Sequence, residues 1–162
     1  MTTRRGLTLA MAALALAGCA QVPRSSALPD APVRSGRLAL SVPDQPAQSF
    51  SAAFELRGRA DAGELTLFNP IGGTLALMQW QPGTAQLSIP GRAPQQFPSV
   101  EAMVEQATGA PIPLAALFDW LGGTNTPVPG WQADLSRLAD GMLRAQRLAP
   151  PPQADLRVVL DR

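Results

Sequence analysis

The chain has 162 residues, 46% of them hydrophobic and 15% charged, with a formal net charge of +1. So small a charge excludes a broad basic surface for nucleic acid, and the length suits one domain of ordinary size rather than two. The absence of His removes the commonest general base and metal ligand, and 17 Pro with 14 Gly in no three-residue period describe a turn-rich globular chain.

At the N-terminus, Arg4 and Arg5 precede an apolar run from Leu7 to Ala17 and the small-residue tetrad Leu16-Ala17-Gly18-Cys19. These are the three parts of a secretory signal, and the apolar run is too short to span a bilayer, which takes about 20 residues. The tetrad resembles the lipobox of bacterial lipoproteins, whose cysteine receives a diacylglycerol before cleavage. Residues 1–18 are therefore expected to be a signal peptide and Cys19 the lipidated start of the mature protein. A lone cysteine has no internal disulfide partner. Acyl chains that each contribute about 0.8 kcal/mol per buried CH2 make the attachment permanent. Ala20, not Asp, follows the cysteine; by resemblance to the Gram-negative sorting rule this favours the outer membrane, with the protein on its periplasmic face. Pro23, Pro29 and Pro32 interrupt a stretch without apolar periodicity, so residues 19–32 read as lipidated terminus and tether, and residues 33–162 as the folded domain.

Strand patterns follow. Arg37 to Val42, Ser49 to Leu56, Glu64 to Leu67 and Thr74 to Trp80 alternate apolar and polar residues, separated by turn signals at Asp61-Ala62-Gly63 and Asn69-Pro70-Ile71-Gly72-Gly73. Pro82-Gly83 and Pro90-Gly91 lead into further strands over Thr84 to Ile89 and Arg92 to Phe97. Ser99 is placed to cap a helix from Val100 to Ala107, with Glu101 in its first turn and Gly109 as its stop. Pro113 opens a second helix, Leu114 to Leu121, which has Leu114, Leu117, Phe118 and Leu121 on one face and Gly122-Gly123 at its end. Trp131 to Leu138 reads as a short helical or irregular segment. Met142 to Leu148 and Leu156 to Leu160 return to strand character across a turn at Pro150 to Pro152. Six or more antiparallel strands with two helices predict a mainly β fold, a strongly curved sheet whose bare apolar face is covered by helices. Such a half-barrel can enclose an apolar cavity.

Catalytic machinery is hard to find. The sequence has no His, no activated cysteine and no Gly-x-Ser-x-Gly turn. Glu55, Glu64, Asp119, Asp134 and Asp155 fall on amphipathic patterns as solvated faces, although a glycosidase-like pair among them stays open. With no Cys/His cluster, phosphate loop or dinucleotide fingerprint, neither metal nor cofactor is expected. In Leu67 to Thr74 a strand runs into a Pro/Gly loop with Ile71 at its tip. Ile71 either folds back on the sheet or stays exposed to enter a membrane or hand over an acyl chain.

The chain also resembles the LolB family of outer-membrane lipoprotein receptors along its whole length. The residues that carry the resemblance are the lipobox ending at Cys19, Gly36-Arg37-Leu38, Phe50-Ser51-Ala52-Ala53-Phe54, Asn69-Pro70-Ile71-Gly72, Trp80-Gln81-Pro82-Gly83, Gly109 to Leu114, and Phe118 to Gly123. The resemblance implies an incompletely closed antiparallel barrel capped by helices, in the manner of LolA and LolB. It implies a cavity that accepts client lipoproteins by their acyl chains from the periplasmic carrier LolA, and insertion of those clients among outer-membrane phospholipids without nucleotide hydrolysis. It also implies that Pro70, Ile71 and Gly72 form the membrane-insertion loop, since the family carries a leucine at the tip. Expected cavity residues are Phe54, Leu65, Leu67, Leu75, Leu77, Trp80, Leu117, Trp120 and Leu121, from the inward faces of sheet and lid helix. Arg37, Arg57 and Arg144 read first as solvated strand ends and otherwise as contacts for an acidic carrier rim. A monomer is the expected state. A lipoprotein that binds another amphiphile, or a structural partner in the envelope, would suit the same fold.

Overall fold

The computed structural model describes residues 31–162. The signal segment 1–18, Cys19 and all but the end of the tether lie outside the described residues. Nine strands form one antiparallel sheet: β1 (Val33–Ser41), β2 (Phe50–Gly58), β3 (Gly63–Phe68), β4 (Thr74–Gln81), β5 (Thr84–Ser88), β6 (Gln95–Phe97), β7 (Trp131–Asp134), β8 (Met142–Arg147) and β9 (Ala154–Leu160). Their spatial order is β6-β5-β4-β3-β2-β1-β9-β8-β7. β1 through β6 form a meander, and the chain then returns so that β9 lies beside β1. The edge strands β6 and β7 do not pair, so the barrel stays open.

Two helices, α1 (Val100–Thr108) and α2 (Leu114–Leu121), fill the connection between those edges. The start of α1 is set by the Ser99 hydroxyl, which accepts from the Ala102 N–H at 3.2 Å and satisfies one of the helix's free donors. Its end is set by Gly109, in the left-handed region at φ 69°, whose N–H bonds the Glu105 carbonyl. α1 lies against β5 and β6. α2 is almost wholly apolar and buries Leu114, Ala116, Trp120 and Leu121.

Strand alternation separates an apolar inner face from a polar outer one. Across the sheet, Leu40, Phe54, Leu56, Leu67, Met78, Trp80, Leu87, Leu143, Leu156 and Val158 are buried on the inner side and join Met103, Val104, Trp120 and Trp131 in one core. Gly63 is what lets Trp80 lie there. A Cβ at Gly63 would stand 2.4 Å from the indole ring, and the indole Nε1 donates to the Arg59 and Ala60 carbonyls at 3.1 Å each.

Three expectations need correction. Trp131 to Leu138 is neither helical nor wholly irregular, because residues Trp131–Asp134 pair with β8 as the edge strand β7 before a 3-10 turn at Leu138–Asp140. Four residues are too few to show a period, and their pairing with β8 decides the conformation. Leu75 and Leu77 are not on the inward face. Ala76, Met78 and Trp80 pair with the inner residues Leu67, Leu65 and Gly63, which sends Leu77 to the outer side opposite Thr66 and Ser88. Leu75 falls at a break in register where Phe68 pairs with Thr74, and it is largely exposed. In addition, β6 begins only at Gln95, because Pro94 has no N–H for the ladder.

Trp120→Ala should cost about 3–5 kcal/mol of stability, as expected when a fully buried aromatic is truncated. Leu77→Ala should cost no more than about 1 kcal/mol, since it leaves no hole in the core. Urea unfolding of the two variants measures both.

Candidate functional site

The β3–β4 hairpin presents the most exposed large apolar side chain among the described residues: Ile71 is 93% exposed. Its loop is built from Asn69. The Gly72 N–H bonds the Asn69 carbonyl at 3.0 Å, closing a turn with Pro70 and Ile71 at the centre, where proline's fixed φ suits the first central position. The Asn69 side-chain oxygen accepts from the Ile71 N–H at 3.1 Å and the Gly73 N–H at 2.8 Å. The Asn69 N–H donates to the Gly73 carbonyl at 2.8 Å. Gly72 takes φ +84° with open space around it, so glycine is required there by backbone conformation rather than by crowding. Asn69 thus holds the isoleucine outward. The sequence pointed to the loop but not to this role, although an Asn two residues before Ile71 and four before Gly73 is its signal.

Strand direction places this hairpin, the β1–β2 connection and the β8–β9 turn at one end of the barrel. Leu75 beside the loop and Leu148 in the β8–β9 turn are also substantially exposed at that end. Val33 and Val159 are exposed to a similar degree toward the other end, so Ile71 is what sets this end apart.

Below this end lies the inner face. Phe54, Leu67, Trp80, Trp120 and Leu121 are buried there, and Leu65 and Leu117 are half-buried against the same core. α2 reaches both arms of the sheet. Phe118 meets the Trp80 ring edge-on at 6.4 Å between centroids, and Trp120 meets Trp131 at 6.2 Å. The Trp120 Nε1 donates to the Thr126 carbonyl at 2.9 Å, so the indole N–H is satisfied within the covered layer.

The outer face is hydrophilic. A surface cavity of about 460 Å³ there is lined by Arg57, Glu64, Gln79, Gln86 and Gln96, which share one rung across five strands. It lies toward the end of the barrel away from Ile71, and Ala62, Trp80 and Ala85 add apolar groups to its amide and charged side chains. The five acids singled out in the sequence are spread over local partners: Glu55 with Arg57, Glu64 with Gln79, Asp119 with the Thr126 hydroxyl, and Asp134 with the Ser136 N–H. Asp155 accepts from Arg144, from Arg157 at 3.1 Å and from Gln146 at 3.1 Å. The structure therefore does not bring these acids together as one group. Arg37, Arg57 and Arg144 all stand on this outer face, two of them committed to these pairs. No group of three or more metal-ligating side chains occurs among the described residues.

The family model for "Outer membrane lipoprotein LolB" matches residues 33–149. The chain belongs to the LolB family. A Bordetella petrii protein named outer-membrane lipoprotein LolB is 33% identical over 172 aligned residues, covering 90% of this chain and 86% of its own. Its namesake in Bordetella parapertussis is 31% identical, covering 94% of this chain and 90% of its own. One from Ralstonia nicotianae is 33% identical over 81% of this chain and 66% of its own. Membership of the LolB family places the chain among outer-membrane lipoproteins and not among enzymes. Strand β9 falls beyond the span matched by the LolB model, yet it is the strand that joins the two arms of the sheet.

The outer-face cluster gives a pH prediction. Burial against the sheet raises the Asp155 pKa, but the hydrogen bonds and charges of Arg144 and Arg157 outweigh it and hold the carboxyl below its ordinary value. A group depressed in the folded state adds stability above its unfolded pKa of about 3.9, and that stability is lost as pH falls through the folded value. Asp155→Asn should therefore lower the thermal midpoint at pH 7, and the gap from the parent protein should narrow as the pH is taken below about 4.

Proposed function

We propose that this LolB family member receives acylated lipoproteins from a soluble periplasmic carrier of the LolA type and inserts them into the phospholipid of the outer membrane. The acyl chains of the client enter the apolar inner face beneath α2, among Phe54, Leu65, Leu67, Trp80, Leu117, Trp120 and Leu121. The protein acts as a monomer anchored through Cys19. Transfer consumes no nucleotide, because a more favourable second site is sufficient: each 1.4 kcal/mol of added affinity gives about a tenfold preference.

The observation that carries this reading is Ile71, almost fully exposed at the tip of a loop braced by Asn69. An isolated exposed leucine or isoleucine on a protein surface is ordinary. One held away from the sheet on a hydrogen-bonded loop, at the same end as Leu75 and Leu148, has its best environment in a membrane interface. Burying such a side chain in lipid contributes about 1.5–3 kcal/mol, enough to bias the orientation of a protein already tethered there. Pro70 and Gly72 serve the same loop, one by fixing the turn and the other by adopting its left-handed step.

A labelled lipoprotein presented on its soluble carrier should pass to the purified protein without added nucleotide and then to outer-membrane vesicles. Ile71→Glu should accept the client as the parent does but fail to deliver it, because a carboxylate at the tip opposes entry into the bilayer. Normal delivery by that variant would remove the loop from the mechanism, and absence of transfer from a competent carrier would remove the receptor role itself.

A further inference from the structure

Among the described residues, one buried side-chain nitrogen has no hydrogen-bond partner: Nη1 of Arg147. Arg147 is the last residue of β8 and is only 9% exposed. Its cross-strand partners are Trp131 on β7 and Ala154 on β9, both buried, which fixes the side chain to the inner face. Three arginines of the outer face stand in contrast, since Arg57, Arg144 and Arg157 each meet a carboxylate. The other buried polar residue, Thr108, places its hydroxyl within 2.8 Å of two carbonyls.

Among the described residues no carboxylate stands on the inner face. The inward positions of the nine strands carry no Asp or Glu, and Glu101, Glu105 and Asp119 of the two helices are exposed. A guanidinium is permanently charged, and burying it without acceptors is costly. The cost is offset only when an acceptor arrives. Arg147 stands at the end of the barrel that also carries the Ile71 hairpin, where the polar head of a molecule with its hydrocarbon among the inner side chains would lie.

We propose that Arg147 is the polar anchor of the acyl-binding face and donates hydrogen bonds to the carbonyl or carboxylate oxygens at the head of a bound acyl chain. The inference rests on the inner face being the acyl site, and it assigns to that face a selectivity that apolar side chains lack. Hydrocarbon is held by area alone, whereas an acyl head adds charge-assisted hydrogen bonds to an arginine whose buried Nη1 has no other partner. Two sources supply the chemistry: the amide and ester oxygens of a lipoprotein's acylated cysteine, or the carboxylate of a free fatty acid.

The test uses the full lipidated chain in phospholipid nanodiscs, with displacement of a fluorescent acyl probe by palmitate, by a diacylglyceryl-cysteine lipopeptide and by hexadecane. Partition into the disc is common to every variant, so differences between variants report the protein. Arg147→Met, which keeps length without charge, should weaken binding of at least one oxygen-headed ligand about tenfold, as expected for a lost charged hydrogen bond. Hexadecane should bind as before. Arg147→Lys should restore part of the loss. Weakening confined to the lipopeptide identifies the client's head as the natural acceptor, and weakening confined to palmitate identifies a free fatty acid. The thermal midpoint of Arg147→Met should not fall, because replacing an unpaired buried charge by an apolar group of similar size is neutral or stabilising. Equal weakening of hexadecane and palmitate, or unchanged binding of all three, overturns the anchor role while leaving the acyl site in place. Failure of the parent protein to bind any of the three overturns the acyl site and the anchor together.

Discussion

The structure depends on the way α2 bridges the two arms of a sheet whose edges do not hydrogen-bond to each other. A sheet that curves without closing leaves an apolar face and two unpaired edges, each a liability in water. Here the edges are short, and the gap between them is covered by a helix whose aromatic side chains reach in both directions: Phe118 to Trp80 on β4, and Trp120 to Trp131 on β7. In the backbone ladder the two arms are joined by the β1–β9 pairing at the middle of the sheet. Without α2, the inner faces of β4 and β7 would be exposed together. Side-chain contacts of this sort are non-directional and can be exchanged for contacts with another apolar body, while the backbone ladder on the far side stays intact. A face covered in this way can accept hydrocarbon without breaking its sheet.

Polar groups are distributed in keeping with that arrangement. Most charges of the outer face have local partners, as in the Arg144, Arg157, Gln146 and Asp155 cluster, and the exposed Arg37 is hydrated. The inner face is largely apolar; Arg147 lies on it toward one end with its Nη1 unpaired, and Arg34, at the parity of Leu38 and Leu40 on β1, stands toward the other. The Arg147 end carries Ile71 on a loop whose own polar groups are consumed by Asn69. The buried Nη1 of Arg147 and the exposed Ile71 thus lie toward the same end of the barrel. A soluble binding protein would gain nothing from the exposed isoleucine. A protein anchored at a membrane meets, at that end, both the lipid and the head of whatever it carries.

Local signals made much of this legible from the sequence. Both ends of α1 follow from Ser99 and Gly109, because a cap is a contact between residues three or four apart. The meander from β1 to β6 follows from alternation punctuated by Gly and Pro turns, and the Ile71 tip follows from a Pro/Gly loop between two such strands. What escaped depends on contacts remote in sequence or on register. Leu77 is apolar in an alternating strand, yet the positions that face inward there are Ala76, Met78 and Trp80, and a strand with apolar residues at both parities does not declare which set is buried. β7 is a strand because β8 lies beside it.

Arg147 shows the limit most clearly. In Met-Leu-Arg-Ala-Gln-Arg the two arginines occupy opposite parities, and nothing in their composition separates them. Arg144 shares its parity with Gln146 and faces Asp155, and it is an ordinary surface ion pair worth little on its own. Arg147 shares its parity with Leu143 and Ala145, so the pleat that buries those two carries a guanidinium to the inner face. The same residue type three positions along one strand therefore has opposite physical consequences. In one place it trades water for a carboxylate; in the other it gives up water with no acceptor for Nη1 among the described residues. Only the second leaves a demand that a ligand can meet, which is why the inner face has a polarity and a direction that its hydrophobic pattern alone would not supply.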